Sequence, residues 1–386
     1  IYEWILGAVL LFFFLVLLYY NLSVYRKCCK YEKKRKDITV EDSSLPGISV
    51  IITSKNDSEQ LEKNLPFVLE QDYPNFEVIV VNSGSTDETD TVLKSASNKY
   101  PGLYHTFTPA ESEEINEKKL ALTVGIKAAK NDILLFTESY CKPCSNKWIR
   151  EYGKQFTLGK DILLGYSKVN LPKKVRHSKY IMYDNLIYHL KFLSMAISGR
   201  PFMGTGRNMA YKKELFFGNK GFSSILGIDG GEDDLFINRI SNRHNTGVVI
   251  TPDSMTVTDS IEGLSSWRSL KSKFLYTKQL YKGLNNLFFG LENFSKYSFT
   301  ILLVISILIG IYSLNYILIG FSLLLFIIKF LVRLSVINKN SKHFDSGDFG
   351  LKLLYLDLIQ PLFNQRFTRY ANERNRAIMS VRKWYK

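Results

Sequence analysis

The chain has 386 residues, 46% of them hydrophobic, and a formal net charge of +15. That length suits one large domain or two small ones with membrane anchors. The positive charge gathers beside apolar runs and no nucleic-acid motif accompanies it, so the favoured partner is an anionic lipid surface and nucleic-acid binding is set aside.

Residues 4–20 are almost continuously apolar. A helix of about 17 to 20 residues, rising roughly 1.5 Å per residue, crosses most of a hydrocarbon core of about 30 Å. A secretory signal has positive charge ahead of the apolar run and small residues after it. Here Ile1-Tyr2-Glu3 leads and Asn21-Leu22-Ser23-Val24-Tyr25 follows, so residues 1–25 are expected to be a retained transmembrane anchor. Arg26, Lys27, Lys30, Lys33, Lys34, Arg35 and Lys36 come next and belong on the cytoplasmic side. Residues 26–46 form a basic juxtamembrane linker ending in Leu45-Pro46-Gly47.

Ile48-Ser49-Val50-Ile51-Ile52-Thr53 is a β-branched run that predicts a buried strand. The spacing of Leu61, Leu65, Val68 and Leu69 predicts a helix over 58–71. Strands are expected over 76–81, 103–107 and 132–136, with helices over 87–97 and 118–129. Alternation of this kind argues for a parallel sheet covered on both faces. Ligands of such sheets bind beyond the carboxyl ends of the strands, which directs attention to the residues after Val81 and after Phe136. Residues 176–198 read as an aromatic-rich helix, 199–206 as a glycine-containing loop, and Glu232 as the start of another helix. Cys141-Lys142-Pro143-Cys144 has a redox-like spacing, but no second cysteine pair completes a zinc site and the spacing reads as incidental.

A second apolar block, residues 297–337, is too long for one span and breaks near Tyr312-Ser313-Leu314-Asn315. It reads as a transmembrane hairpin of 297–312 and 317–336, with Arg333, Lys339 and Lys342 returning the chain to the cytoplasm. Residues 338–386 are basic and amphipathic, with Arg366, Arg369, Arg374, Arg376 and Arg382. Pro361 and these charges interrupt the apolar pattern, so the segment is expected to lie at the membrane interface.

Three sequence blocks carry a family signal: Ser49-Val50-Ile51-Ile52-Thr53-Ser54-Lys55-Asn56-Asp57, Glu70-Gln71-Asp72-Tyr73-Pro74, and Val80-Val81-Asn82-Ser83-Gly84-Ser85-Thr86-Asp87. In this order and spacing they resemble the opening of a family 2 glycosyltransferase of the membrane-anchored bacterial type. The likeness covers about residues 47–290. It implies an α/β, Rossmann-like GT-A domain that binds a nucleotide-sugar donor. Within the last block Ser85 and Glu88 also suit a helix capping box, which needs no ligand.

The resemblance implies site residues one by one. Thr53, Asn56 and Asp57 would line the base and ribose pocket, and Ser83 stands where the family usually has Asp, with Asn82 before it. Lys118 and Lys119 match a basic pair near the phosphates, or else form a solvated helix start. After Phe136 the family places two carboxylates that hold a divalent metal, Mg²⁺ or Mn²⁺, on the diphosphate. This chain offers Glu138 as one ligand, and Tyr140 replaces the second. Gly204, Thr205, Gly206 and Arg207 match the segment beside donor sugar and acceptor; Arg207 either contacts phosphate or pairs with an acid. Glu232 and Asp233 begin a helix, where carboxylates are favourable for dipole reasons alone. The family reading makes Asp233 the general base that takes the acceptor hydroxyl's proton. Trp267, Lys271 and Lys273 match a segment for diphosphate and acceptor, with Leu270 where Gln is usual; an amphipathic helix on the membrane is the plainer reading.

Two functional expectations follow. The first is an inverting transferase, multi-pass in the bacterial inner membrane, that passes a sugar to a membrane lipid or lipid-linked acceptor. The second is a catalytically degenerate scaffold that assists a partner membrane protein, suggested by the joint departures at Ser83, Tyr140 and Leu270. Three spans give little wall for a polymer channel, and their low polarity argues against a transporter.

Overall fold

The computed structural model describes residues 2–34, 39–109, 116–172, 174–258 and 260–384, with side chains to residue 376. Arg35 and Lys36 of the basic cluster, and the side chain of Arg382, lie outside the described residues. The chain opens with α1 (Tyr2–Tyr19), a π-helical turn (Tyr20–Tyr25) and α2 (Lys27–Lys34). The α/β body runs β1 (Ile48–Ser54), α3 (Ser58–Leu69), β2 (Phe76–Ser83), α4 (Thr89–Lys99), β3 (Leu103–Thr108), α5 (Glu117–Ala128) and β4 (Ile133–Glu138). It continues through β5 (Cys141–Pro143), α6 (Trp148–Phe156), β6 (Ile162–Gly165), β7 (Ser167–Val169), α7 (Ser178–Ile197), β8 (Met209–Lys212) and α8 (Lys213–Gly218). Then come α9 (Asp234–Ile240), β9 (Thr246–Val249), β10 (Thr256–Thr258) and α10 (Leu264–Thr277). Three long helices close the chain: α11 (Asn285–Tyr312), α12 (Tyr316–His343) and α13 (Leu353–Trp384).

Seven strands form one sheet in the order β3-β2-β1-β4-β8-β6-β9, and β5-β10-β7 form a smaller one. The first four are parallel, while β8 runs antiparallel to both β4 and β6. Alternate residues of each central strand feed different cores. Ile51, Ile79, Val81, Leu134 and Phe136 point to one, with α7 and α9. Val50, Ile52, Val78, Val80 and Leu135 point to the other, with α3 and α6. Both faces are buried, which is why these strands read as unbroken apolar runs rather than alternating ones.

The start of α4 differs from the capping-box expectation. Ser85 Oγ accepts from the Asn56 N–H at 3.0 Å, and the Asp87 carboxylate serves both helices, accepting from Thr89 N at 3.1 Å and Ser58 N at 2.9 Å. A carboxylate shared between two helix starts satisfies more orphan donors than the local serine does.

Among the described residues, three helical stretches are long and apolar enough to cross a membrane: Tyr2–Lys34, Asn285–Tyr312 and Tyr316–His343. They pack through Leu10, Phe14, Leu17, Phe299, Leu303 and Leu325. Their outward faces leave Phe12, Leu15, Leu308, Ile311, Leu324 and Ile327 exposed, an apolar surface suited to lipid. At the far end Asn315 Nδ2 donates to Glu3 Oε2 at 2.7 Å. At the near end Tyr20 OH donates to the Phe288 carbonyl at 2.6 Å, so α1 and α11 meet the domain together.

The C-terminal segment, read as interrupted at Pro361, instead carries one helix, Leu353–Trp384, through that proline. A proline inside a helix costs about 3 kcal/mol. Here Leu353, Leu356, Phe367 and Ala371 are buried on either side of it, and Gln360 Nε2 donates to Asp184 Oδ1 at 2.8 Å. Packing against α7 and α10 outweighs the local penalty.

Candidate active site

The register of the parallel strands builds the site. Thr53 pairs with Val81 on one side and Glu138 on the other, so the carboxyl ends of β1, β2 and β4 lie level. Because β8 runs antiparallel to β4, Met209 sits opposite Phe136, and the loop before Met209 arrives beside Glu138. Thr137 Oγ1 donates to the Arg207 carbonyl at 3.3 Å, fastening that approach. A cavity of about 920 Å³ opens above these ends. Its walls include Thr53, Asp57, Ser83, Lys118, Glu138, Thr205, Arg207, Glu232, Asp233 and Lys273.

Asp233 caps the N-terminus of α9. Its Oδ1 accepts from the Asp234 N–H and its Oδ2 from the Gly206 N–H, both at 2.8 Å. Two backbone donors therefore fix the carboxylate. Gly231, at φ +89°, takes the left-handed conformation that turns the chain into this helix. Burial, then the adjacent Glu232 charge, pushes the Asp233 carboxyl up to about 6. A carboxyl held there is ionised at neutral pH and more basic than an ordinary aspartate.

Glu138 is linked to Asp233 through Gly206. A Cβ on that glycine would lie 3.0 Å from Glu138 Oε1 and 3.6 Å from Asp233 Oδ2. Lys118 Nζ bridges two acids, 2.6 Å from Glu138 Oε1 and 3.2 Å from Glu232 Oε1. Burial alone lowers the Lys118 ammonium, but the Glu138 and Glu232 carboxylates outweigh it and hold it well above its ordinary range. The same balance holds Glu232 down: burial raises it, and Lys118, Lys273 and Lys119 more than compensate.

Several polar atoms around the cavity lack a partner among the described residues: Ser83 Oγ, Thr205 Oγ1, Glu232 Oε2, and Nε and Nη1 of Arg207. Arg207 is only 2% exposed, and its guanidinium donates from Nη2 to Asn185 Oδ1 at 3.1 Å. Buried groups of this kind are normally satisfied, so their concentration here marks a place for a polar ligand.

Other candidates lie elsewhere. Asn56 and Asn82 knit the β1–α3 and β2–α4 loops: Asn56 Oδ1 accepts from Thr86 N at 2.8 Å, and Asn82 Oδ1 from Ser85 N at 3.0 Å. Gly204 is a packing glycine, with Leu164, Ile237 and Met209 where its side chain would be. Trp267 and Lys271 turn inward to the buried Asp184, the indole donating to Oδ2 at 2.9 Å and the ammonium to the same oxygen. Lys119 donates to the Ile228 carbonyl. On α10 it is Ser266, Ser269, Leu270 and Lys273 that face the cavity, along with Phe274.

Two contributors escaped the sequence reading. Asp184 is a lone acid in an aromatic helix, with no motif to mark it. Arg374 reaches the cavity wall from α13, donating to Asp229 Oδ2 at 2.8 Å and to Ser272 Oγ at 3.1 Å. Its signal was present in the basic C-terminal stretch, which had been assigned to lipid.

The residues after Phe136 do not fit a two-carboxylate cation site. Tyr140 stands in the second position, half-buried on the cavity wall, its phenol held well above the ordinary range by desolvation and then by the Glu138 charge. Among the described residues no group of three His, Cys, Asp or Glu side chains is placed to hold a metal. Cys141, in β5, is buried, its thiol pushed up to about 12 by burial.

The model of glycosyl transferase family 2 matches residues 49–216, the stretch that supplies Thr53, Ser83, Lys118, Glu138 and Arg207. Over this stretch the chain is similar to glycosyl transferase family 2. It is 33% identical over 109 residues to glycosyltransferase AglE of Haloferax volcanii, a match covering 28% of this chain and 34% of that protein. It is 31% identical over 133 residues to the poly-beta-1,6-N-acetyl-D-glucosamine synthase of Staphylococcus aureus, covering 34% of this chain and 28% of the synthase. The chain thus spans about a third or less of the length of these relatives. In fold it is similar to the mannosyltransferase PcManGT from Pyrobaculum calidifontis, solved in complex with GDP-Man and Mn²⁺. That likeness has a TM-score of 0.55 at 15% identity and covers 88% of this chain and 98% of the mannosyltransferase. The α/β domain has the GT-A fold that family 2 members use to bind nucleotide-sugar donors.

Proposed function

We propose that this chain is an inverting family 2 glycosyltransferase anchored in a bacterial inner membrane. It moves a sugar from a nucleotide-sugar donor to a hydroxyl of a lipid or lipid-linked acceptor. The observation that carries the reading is the convergence of Asp233, Glu138 and Lys118 on one cavity at the carboxyl ends of the strands. Thr53, Asp57 and Ser83 line its nucleotide end, and Thr205, Arg207 and Lys273 the side of sugar and phosphate.

The chemistry is a single displacement. Asp233 takes the acceptor hydroxyl's proton as the oxygen attacks the anomeric carbon. The new carbon–oxygen bond forms as the bond to the diphosphate breaks, and the electron pair leaves with the phosphate oxygen. Attack opposite the leaving group inverts the configuration. Lys118 and Arg207 meet the negative charge that develops there. Where a divalent ion is bound in this family, it supplies charge neutralisation of the same kind.

The membrane placement rests on geometry and charge. The helix that lines the cavity with Ser266, Ser269 and Lys273 leads, through a short turn, into α11. Lys27, Lys30, Lys33 and Lys34 of α2, and Lys339 and Lys342 of α12, lie at the domain end of the bundle, which supports a cytoplasmic domain. An acceptor carried by the membrane then enters beside α10.

The test is turnover of a panel of nucleotide sugars by the full chain in bacterial membranes, with and without extracted lipid. Lipid-dependent release of nucleoside diphosphate, and a product of inverted anomeric configuration, are expected. Donor binding without turnover of any donor would favour the scaffold reading suggested by Ser83, Tyr140 and Leu270.

A further inference from the structure

We propose that Lys118 stands in the place of the divalent cation, so that the donor's diphosphate is bound and released on protein cations alone. This rests on the nucleotide-sugar reading of the cavity. Three observations lead to it. The second carboxylate that a cation needs is replaced by the half-buried phenol of Tyr140, a poor ligand for a hard ion. The remaining carboxylate is already engaged, since Glu138 Oε1 lies 2.6 Å from the Lys118 ammonium, which also reaches Glu232 at 3.2 Å. A divalent ion on Glu138 would have to displace that ammonium, because two cations within roughly 3 Å repel strongly in a low-dielectric site. Finally, Arg207 is buried with Nε and Nη1 unpartnered, a second cation with donors to spare.

The arrangement suits a diphosphate. An ammonium carries three donors; one on Lys118 goes to Glu138 while Glu232 stands at ion-pair distance, which leaves a donor for a phosphate oxygen. Arg207 has unpartnered donors on Nε and Nη1, on two different edges of the guanidinium, each of a kind that bonds a phosphate oxygen. The two acids keep Lys118 positioned and charged. Arg207 has no acid paired with it among the described residues, so its charge is available to a phosphate.

The experiment measures binding of UDP and GDP to the detergent-purified full chain by calorimetry, in EDTA and in Mn²⁺, with electron paramagnetic resonance to count bound Mn²⁺. The better-bound nucleotide is expected to have the same Kd within about twofold in both buffers, and to bring no Mn²⁺ with it. Lys118→Met should weaken diphosphate binding in EDTA about tenfold or more, as expected for loss of a charge-assisted hydrogen bond, with much less effect on the nucleoside. With the ammonium gone and Glu138 and Glu232 exposed to solvent ions, Mn²⁺ should restore part of that loss. Lys118→Arg, which preserves the charge, should bind in EDTA and checks that the site folds. Binding that requires Mn²⁺ in the unmodified chain, or stoichiometric Mn²⁺ in its nucleotide complex, overturns this inference and leaves the donor reading intact. Unaltered EDTA binding by Lys118→Met overturns it too. Failure of either nucleotide to bind under any condition overturns the donor reading along with it.

Discussion

Two buried clusters of charge sit in this molecule, and they are built differently. Where the membrane helices enter the domain, Glu292 accepts from Tyr25 OH at 2.8 Å and pairs with Lys296 at 2.8 Å and Lys191 at 3.3 Å. Beside it Asp357 accepts from Tyr183 OH at 2.7 Å and Arg333 at 2.8 Å, with Lys296 at 3.3 Å. Each acid there is surrounded by donors from several helices. In the cavity, Glu232 keeps a bare oxygen and Arg207 two bare N–H groups. In the first cluster both acids are paired, Nε of Arg333 being its one nitrogen without a partner among the described residues, and the pairs fasten α7, α11, α12 and α13 to one another. The second is completed only by something that binds.

The sharpest way to break this contrast is to take the proposed base, Asp233, from the open cluster. Asp233→Asn keeps the shape but cannot accept the proton, and transfer should fall by about 10²- to 10⁴-fold. Donor binding, measured by calorimetry, should stay within about twofold. Equal loss of binding and transfer would move Asp233 from proton transfer to positioning.

The closed cluster should respond in stability instead. Asp357→Ala leaves Arg333 buried without its acid and Lys296 with Glu292 alone, which should cost about 3–5 kcal/mol. Thermal unfolding in detergent checks it. Arg207→Met is the matching change in the open cluster. Removing a cation that has no acid partner should leave the ligand-free protein at least as stable while abolishing its response to nucleoside diphosphate. If both variants unfold alike, the distinction between closed and open clusters fails.

The pH profile sharpens the comparison further. Only ionised Asp233 accepts a proton, so activity should rise with pH through about 6 and then level, falling about tenfold per unit below that point. After burial, the Glu232 charge is the next cause of the elevation. Glu232→Gln should therefore move the inflection to lower pH, and Lys118→Met, which removes a stabilising positive charge, to higher pH. Opposite displacements by these neighbours, read from initial rates across pH 4–9, separate an electrostatic cause from general damage.

How much of this was legible depends on how local the cause is. The strands carrying Val50–Ile52 and Val78–Val81 were readable because burial on both faces demands continuous apolar residues, and the likeness to family 2 then placed Asp233, Glu138 and Lys118 near one another. Trp267 and Lys271 shared their motif with Lys273, yet they meet Asp184 on the opposite side of α10. Which side of α10 faces the cavity is set by α7 and α13, which lie far away in sequence. Pro361 misled for a related reason: its local penalty is real, but the contacts of Gln360 and Leu356 that outweigh it are tertiary. The bridge from Lys118 to Glu138 and Glu232 joins three segments and had no sequence signature of its own.

The smallest effect tests whether the open cluster's spacing matters as well as its charge. Gly206 does not have a positive φ, so alanine there brings no backbone strain. Its methyl would meet Glu138 Oε1 at 3.0 Å, with Asp233 Oδ2 at 3.6 Å. Glu138 must then yield by a few tenths of an ångström and pull on Lys118, while the Gly206 N–H that holds Asp233 is retained. Transfer should fall severalfold with the pH inflection unmoved, since the charges around Asp233 are unchanged; a misplacement of about 1 Å costs as much as 10²-fold, and this one is smaller. Steady-state rates against pH decide it. A shifted inflection would mean that the methyl has separated Lys118 from the acids, and that the bridge, rather than the distance between base and leaving group, is what Gly206 protects.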